Sequence, residues 1–281
     1  MKTIPLITPT LFYLYAIFAQ LAYASDITAM TFNLRIPVDP PPYDWQTRLP
    51  RIIAVIKHQQ PDILGVQEVT PAMRQDLQAA LEGYAFVGRG RELGGEGEGT
   101  YIVFSKARWE LDADDQGTRQ LSSTPDLVGS NDWGMKWPRI FTWAHLRDKK
   151  SGKFIYVFNT HFPLEPKERD LSVQLLAKAI AERKQIADPV ILTGDFNACA
   201  DEASMRYLLG EGDSPIAMRD TYQVLHPAAK AETFHAFGTN HSCKIDYVFM
   251  LGAINTRSAR IIKEKNHFSS DHFAVTAKLR F

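Results

Sequence analysis

The sequence predicts an α/β chain of the α+β kind: a four-layer sandwich of two packed, mixed β-sheets flanked by helices. Three observations predict it. Short apolar or alternating runs recur from residue 26 to residue 281. Some are separated by segments of helical period and others by hairpin-length turns, so parallel and antiparallel pairing must coexist. No repeat or low-complexity linker divides residues 25–281, which places every element in one domain. A sheet-on-sheet core with helices outside suits that count.

Taken in order, DITAMTFNLRI (26–36) alternates like a strand, and PPPYDW (40–45) is a loop. WQTRLPRIIAVIKHQQ (45–60) carries Leu49, Ile52, Ile53 and Ile56 at helical spacing, with Pro50 in its early turns. DILGVQEV (62–69) is an apolar strand. PAMRQDLQAALEG (71–83) is a helix opened by Pro71 and closed by Gly83. TYIVFSKARWEL (100–111) reads as one strand, and RIFTWAHLRD (139–148) and KFIYVFNTHF (153–162) as two joined by a KKSG turn. The longest helix is expected over 167–187. PVILTGDFN, KIDYVFML, TRSARIIKE and HFAVTAKLRF complete the strands.

Residues 1–24 differ in kind. Lys2 is the only charge before Asp26, an apolar run spans Leu11 to Ala22, and Ala22 and Ala24 occupy small-residue positions. This is the pattern of a secretory signal peptide cut after Ala24. The run is shorter than the ~20 residues of a spanning helix, and no later run is long enough. The mature chain 25–281 is therefore expected to be exported, periplasmic or secreted, with no integral membrane segment. Loss of Lys2 leaves it at −1 from a formal charge of zero. That balance gives no broad basic field for nucleic acid, although a local cleft can carry charge that the total hides. Apolar residues at 45% exclude a disordered chain. Cys199 and Cys243 have no CxxC or zinc spacing; an oxidising compartment allows a bridge between them, and free thiols are equally open.

The chemistry lies at strand ends. TFNLR presents Asn33, LGVQEV presents Glu68, VFNTHF presents Asn159 and His161, and LTGDFN presents Asp195 and Asn197. KIDYVF carries Asp246 near its start, and SSDHFAV sets Asp271 and His272 before the last strand. Strands that pair bring such ends to one edge, where loops build sites. Hard oxygen ligands, a base and imidazoles are what a hydrated Mg²⁺ ion and a phosphate ester require. GxSxG, HExxH and P-loop patterns are absent from the sequence, which argues against serine hydrolases, zinc proteases and kinases.

This ordered set, TFNLR, LGVQEV, FNTHF, LTGDFN, KIDYVF and SSDHFAV, resembles the endonuclease/exonuclease/phosphatase superfamily with the DNase I-like fold. The likeness spans about residues 27–281. YDWQTRLPRI, STPDLVGSNDW and WPRIFTWAHL resemble a bacterial branch that offers no substrate. The resemblance implies a metal-dependent phosphoester hydrolase with Mg²⁺, or Mn²⁺, as cofactor. Glu68 is then the chief metal ligand, with Asn33 on the metal or a phosphate oxygen and Asp271 a second metal-side carboxylate or a proton donor. Asp195 aligns and deprotonates the attacking water, and Asn197 hydrogen-bonds the phosphate. His272, held by Asp246, faces a non-bridging oxygen, and His161 and Asn159 also face the phosphate.

Other residues have two readings. His235, between aromatics in TFHAF, is a packed histidine or a substrate contact. Arg139 in WPRIF is a phosphate contact or a surface ion pair. GRGRELGGEGEGTY (88–101) fails as a nucleotide cradle because Glu96 and Glu98 repel phosphate; it is read as a loop leading to Tyr101, a candidate substrate contact, with Glu98 at the rim. Trp133 and Trp137 stack on a base, sugar or lipid, or only pack. The remaining histidines, His58, His145, His226, His241 and His267, carry no motif. A sphingomyelinase-like enzyme, an inositol-phosphate phosphatase and a non-catalytic binding protein with the same fold are the rival functions. Family habit prefers nucleic acid among exported substrates. A catalytically dead relative loses a carboxylate or imidazole at these ends, and here all are present. No protein partner is indicated, so a monomer is expected.

Overall fold

The structure is a computed structural model that describes residues 26–240, 242–265 and 267–280. The expected leader, residues 1–24, lies outside the described residues, as does His241. The elements are β1 (Asp26–Asn33), α1 (Trp45–Gln59), β2 (Ile63–Val69), α2 (Pro71–Ala80), β3 (Tyr84–Val87), β4 (Gly99–Ser105) and β5 (Trp109–Gln120). They continue with β6 (Ile140–Asp148), β7 (Phe154–His161), α3 (Pro166–Ala181), β8 (Val190–Asp195), α4 (Ala203–Leu208) and β9 (Arg219–Asp220). Last come α5 (Thr221–Leu225), β10 (Asp246–Leu251), β11 (Asn255–Ile262) and β12 (Ala274–Arg280). One sheet has the order β11-β12-β1-β2-β4-β3 and the other β5-β6-β7-β8-β10-β9. Both are mixed, with β1–β2 and β7–β8 parallel.

Side-chain alternation builds the layers. Ile27 and Ala29 of β1, Ile155 and Val157 of β7, and Ile191 of β8 face inward into the core between the sheets. Met30 and Phe32 face outward beneath Ile52 and Ile56 of α1 and Met73 and Leu77 of α2. Tyr156, Phe158, Val190 and Leu192 face outward beneath α3 and α4. Helix α1 is capped by Asp44, which accepts from the Thr47 amide; α2 is capped by Thr70, which accepts from the Met73 amide.

Several sequence expectations need correction. TYIVFSKARWEL is two strands in different sheets, because a turn at residues 106–108 carries the chain across. There the Arg108 amide bonds the Ser105 carbonyl, and the Arg108 guanidinium pairs with Asp62 and Asp148. The long helix stops at Ala181 rather than running to 187; the Arg183 side chain takes the Ile180 carbonyl at 2.8 Å and the Asp188 carbonyl at 2.9 Å. β1 ends at Asn33, since Arg35 has φ +56°. The short β3, β9, α4 and α5 carry too few residues for a period to show.

Cys199 and Cys243 form a disulfide, with Cα atoms 5.6 Å apart and a sequence separation of 44. The bridge ties the loop after β8 to the chain entering β10, the two places that present Asp195 and Asp246. Loop-closure entropy for such a separation is about 4 kcal/mol as an upper figure, with about 2–4 typical. The variant Cys199→Ser/Cys243→Ser should therefore lose about 2–4 kcal/mol of unfolding free energy. Equilibrium urea denaturation measures it, and an unchanged midpoint would show that the bridge constrains little.

Candidate active site

The inward face of each central strand changes from apolar to polar toward one end. In β1 the inward series runs Ile27, Ala29, Thr31, Asn33; in β8 it runs Ile191, Thr193, Asp195. β7 adds Asn159 and His161, β2 adds Gln67, and antiparallel β10 begins with Asp246 opposite Asp195 in the ladder. The alternation that fills the core thus delivers the polar set to one end of the inter-sheet layer. The first of these residues hold the sheets together. Asn159 Oδ1 accepts from Gln67 Nε2 at 2.7 Å and from Thr193 Oγ1 at 3.1 Å, while its Nδ2 donates to the Val66 and Tyr101 carbonyls at 2.9 and 3.0 Å. Gly65 is required beneath this network: a Cβ there would stand 2.1 Å from Thr193 Oγ1 and 2.6 Å from Asn159 Oδ1.

Asp195 is the centre of the next layer and is 1% exposed. Its Oδ2 accepts from Asn33 Nδ2 at 2.9 Å, with His161 Nε2 at 3.5 Å and His272 Nε2 at 3.8 Å. Its Oδ1 accepts from the Asn197 amide at 3.0 Å. Burial, reinforced by the Asp246 carboxylate, pushes Asp195 up to about 7, against the pull of His272 and the Asn33 and Asn197 hydrogen bonds. His272 Nδ1 lies 2.9 Å from Asp246 Oδ2. Burial opposes a charge on that ring, but the Asp246 and Asp195 carboxylates outweigh it and raise it to about 10. His272 is consequently an imidazolium between two carboxylates. The ligand atoms of Asp195, Asp246 and His272 lie within 4.8 Å of one another, a spacing that a metal cage would share. Here the ring's Nδ1–H is already spent on Asp246, and the imidazolium itself supplies the positive charge.

His161 stands on the other side of Asp195. Its Nδ1 is 2.9 Å from Arg139 Nη1. Burial, then Arg139, holds this ring well below the usual histidine range. Arg139 is 9% exposed and lies 4.0 Å from Glu98, which Arg91 grips with two hydrogen bonds of 2.8 and 2.9 Å.

Oxygen donors gather at the ends of β1 and β2. Glu68 has φ +61°, unusual for a residue with a side chain, at a bulge in the β2–β4 pairing. Its Oε1 accepts from Asn33 Nδ2 at 3.0 Å and its Oε2 from the Ile36 amide at 2.9 Å. Burial raises the Asp271 carboxyl; His272 and Arg35 draw it down and Glu68 pushes it further up. Two carboxylates near enough to repel, one of them buried, are a donor set that fits a hard divalent cation. Ser270 Oγ bonds the Asn33 carbonyl at 2.7 Å and ties this side to β1.

The structure therefore brings Asn33, Glu68, His161, Asp195, Asp246, Asp271 and His272 together, with Arg139 behind His161. Other expected residues are placed differently. Asn159 does not face a phosphate, since both its polar atoms serve the inter-sheet network. Tyr101 is 1% exposed and turned outward by strand parity, packed with Val103 under α2 and beneath the Arg74 guanidinium. His235 is 1% exposed and stacked on Phe273 at 4.0 Å; burial pushes it down to about 4, so it is the packed, neutral histidine of its two readings. Asn197 is not extended: at φ +49° its Nδ2 donates to the Phe162 carbonyl at 2.9 Å, locking the ends of β7 and β8 together. Arg91 and Ser270 were not singled out in the sequence. Arg91 lies in a glycine-rich stretch dominated by acidic residues, and only its spacing to Glu98 across a turn hints at a pair.

Residues 30–272 match the Endonuclease/Exonuclease/phosphatase family. An endonuclease/exonuclease/phosphatase from Bacteroides vulgatus is 32% identical, covering 91% of this chain and 98% of its own, with a TM-score of 0.81. A mannosyl-6-phosphatase from Bacteroides thetaiotaomicron is 27% identical over 91% of this chain and all of its own, at a TM-score of 0.80. Among curated relatives, a protein of Acanthamoeba polyphaga mimivirus is 28% identical over 162 residues, 55% of this chain and 60% of that protein. The chain spans between 29% and 60% of the curated relatives it matches. On the family match across residues 30–272, this chain belongs to the endonuclease/exonuclease/phosphatase family.

Proposed function

We propose that this chain is an exported, metal-assisted phosphoester hydrolase that acts on a small, hydroxyl-rich phosphomonoester by direct attack of water. The single observation that carries the reading is Asp195: a buried carboxyl, raised toward neutrality, with two imidazoles and an amide around one oxygen. That is a base for a water, surrounded by donors for a phosphoryl group. Glu68 and Asp271, with Asn33 between Glu68 and Asp195, would hold Mg²⁺ or Mn²⁺. Such an ion supplies neutralisation of phosphoryl charge. Asp195 takes the proton of the water, and His272, fixed by Asp246, presents Nε2–H toward the developing charge. No Ser, Cys or His here is arranged as an activated nucleophile, which supports direct attack. Export is supported by the small-residue pattern at Ala22 and Ala24 and by the disulfide.

The substrate reading rests on a groove of about 380 Å³ that begins at Arg139. Trp137, 49% exposed, and Leu164 offer apolar surface, and Glu165 and Glu168 line it with carboxylates beside Lys136. Carboxylates accept hydrogen bonds from sugar hydroxyls, and a lining in which Glu165 and Glu168 balance Lys136 and Arg139 is not the basic track that a polynucleotide backbone requires. The likeness to a mannosyl-6-phosphatase supports the same class.

Release of inorganic phosphate from hexose phosphates, inositol phosphates and a chromogenic monoester, beside cleavage of DNA, RNA and sphingomyelin, tests this with Mg²⁺ present. Hexose phosphates should be hydrolysed fastest. Faster cleavage of DNA that falls steeply with salt would make the enzyme a nuclease instead. Glu68→Gln should fold and lose about 10²-fold in activity. Full activity of that variant in saturating EDTA would sink the metal reading.

A further inference from the structure

The two imidazoles that flank Asp195 are held by partners of opposite charge. His272 Nδ1 faces the Asp246 carboxylate at 2.9 Å, whereas His161 Nδ1 faces the Arg139 guanidinium at 2.9 Å. A guanidinium has five donors and no acceptor, and it keeps its proton at any working pH. The contact between Arg139 and His161 has therefore one consistent assignment: Arg139 donates, and Nδ1 of His161 accepts. A nitrogen that accepts carries no hydrogen, so the ring's single proton is on Nε2, the atom 3.5 Å from Asp195 Oδ2.

We infer that Arg139 is a positioning residue that locks His161 as a neutral imidazole protonated on Nε2, a fixed hydrogen-bond donor beside the Asp195 base. The site then has two donors of different kinds. His272 brings a charge, and His161 brings a directed N–H with no charge. A neutral donor so placed holds the phosphoryl group or the water without competing with Asp195 for a proton.

The lock is itself supported. Arg139 is 9% exposed, Glu98 stands 4.0 Å from its guanidinium, and Glu98 is fixed from behind by two hydrogen bonds from Arg91. The chain Arg91–Glu98–Arg139–His161 runs from the glycine-rich loop to β7. It gives that loop a purpose other than a nucleotide cradle: it delivers the carboxylate that keeps Arg139 aimed. Lysine at position 139 would still donate, but as a point charge without the planar fork.

The donor role rests on the hydrolase reading; the tautomer does not, and it is measured without turnover. In the full mature chain labelled with ¹⁵N-histidine at pH 7.5, His161, assigned by its loss in His161→Gln, should show an unprotonated Nδ1 and a protonated Nε2. A His161 proton on Nδ1, or on both nitrogens, overturns the inference. In Arg139→Met a second tautomer should appear, and kcat should fall about 10–10²-fold with KM nearly unchanged. Arg139→Lys should restore the single tautomer and part of kcat. A raised KM in Arg139→Met with the wild-type tautomer intact would instead make Arg139 a plain phosphate ligand and overturn the positioning role. If Arg139→Met does not fold, the wild-type spectrum still decides the tautomer.

Discussion

Asp195→Asn should lower kcat by about 10³-fold, the loss expected when a positioned general base is removed. The substitution is nearly isosteric. Asn33 Nδ2 and the Asn197 amide can share the remaining oxygen, so the fold should persist. The pH profile separates a catalytic loss from a structural one. With Asp195 pushed up to about 7, the base is protonated and idle in more acid solution and becomes competent as pH rises through about 7. With His272 raised to about 10, its charge is lost only above that value. Activity should therefore rise through about pH 7, stay level, and fall near pH 10. His161, held well below the usual histidine range, and His272, raised to about 10, both stay out of that level range. Asp195→Asn should erase the acidic limb and leave an alkaline limb moved down from about 10, because one of the two carboxylates that raise His272 is gone. Persistence of the limb near pH 7 in the variant would assign it to another group.

The same residues show how much the sequence discloses. Strand ends were legible because their apolar runs stop at Asn33, Glu68, His161 and Asp195, and an end is where a sheet meets its loops. Inward or outward direction was legible in principle from parity, and it is what misplaces Tyr101. Counting by two from Ile102, which faces the inter-sheet core, turns Tyr101 out toward α2. Asn159 shows a different limit. Its parity is right for the site, but it lies one step deeper than His161, and at that depth an amide is worth more as a link between sheets than as a ligand. The partners of β5 were not legible at all. A three-residue turn at 106–108 moves the chain from one sheet to the other, and nothing in the local pattern distinguishes that from a continuing strand. Disulfide pairing was equally closed, since it depends on a Cα separation that only the folded chain defines.

His272→Ala should cost about 10³-fold in kcat, and Asp246→Asn should cost much of the same, because the two act as one unit. Asp246 is fully buried at the start of β10, opposite Asp195, with its backbone amide bonded to Thr233 Oγ1 at 3.1 Å. Its Oδ2 is the partner that keeps His272 charged and aimed. An asparagine there presents either an amide oxygen, which still accepts from Nδ1 but carries no charge, or an amide nitrogen, which forces the opposite tautomer. In both cases the ring loses the carboxylate that raised it, so the alkaline limb should move down from about 10 toward the ordinary histidine range. That shift distinguishes a lost charge partner from a loosened fold, which would lower activity at every pH alike. The double variant should be little slower than His272→Ala, since Asp246 has no work left once the ring is gone. Losses that simply multiply would mean that Asp246 acts apart from His272, most directly through Asp195, whose carboxyl it also pushes up.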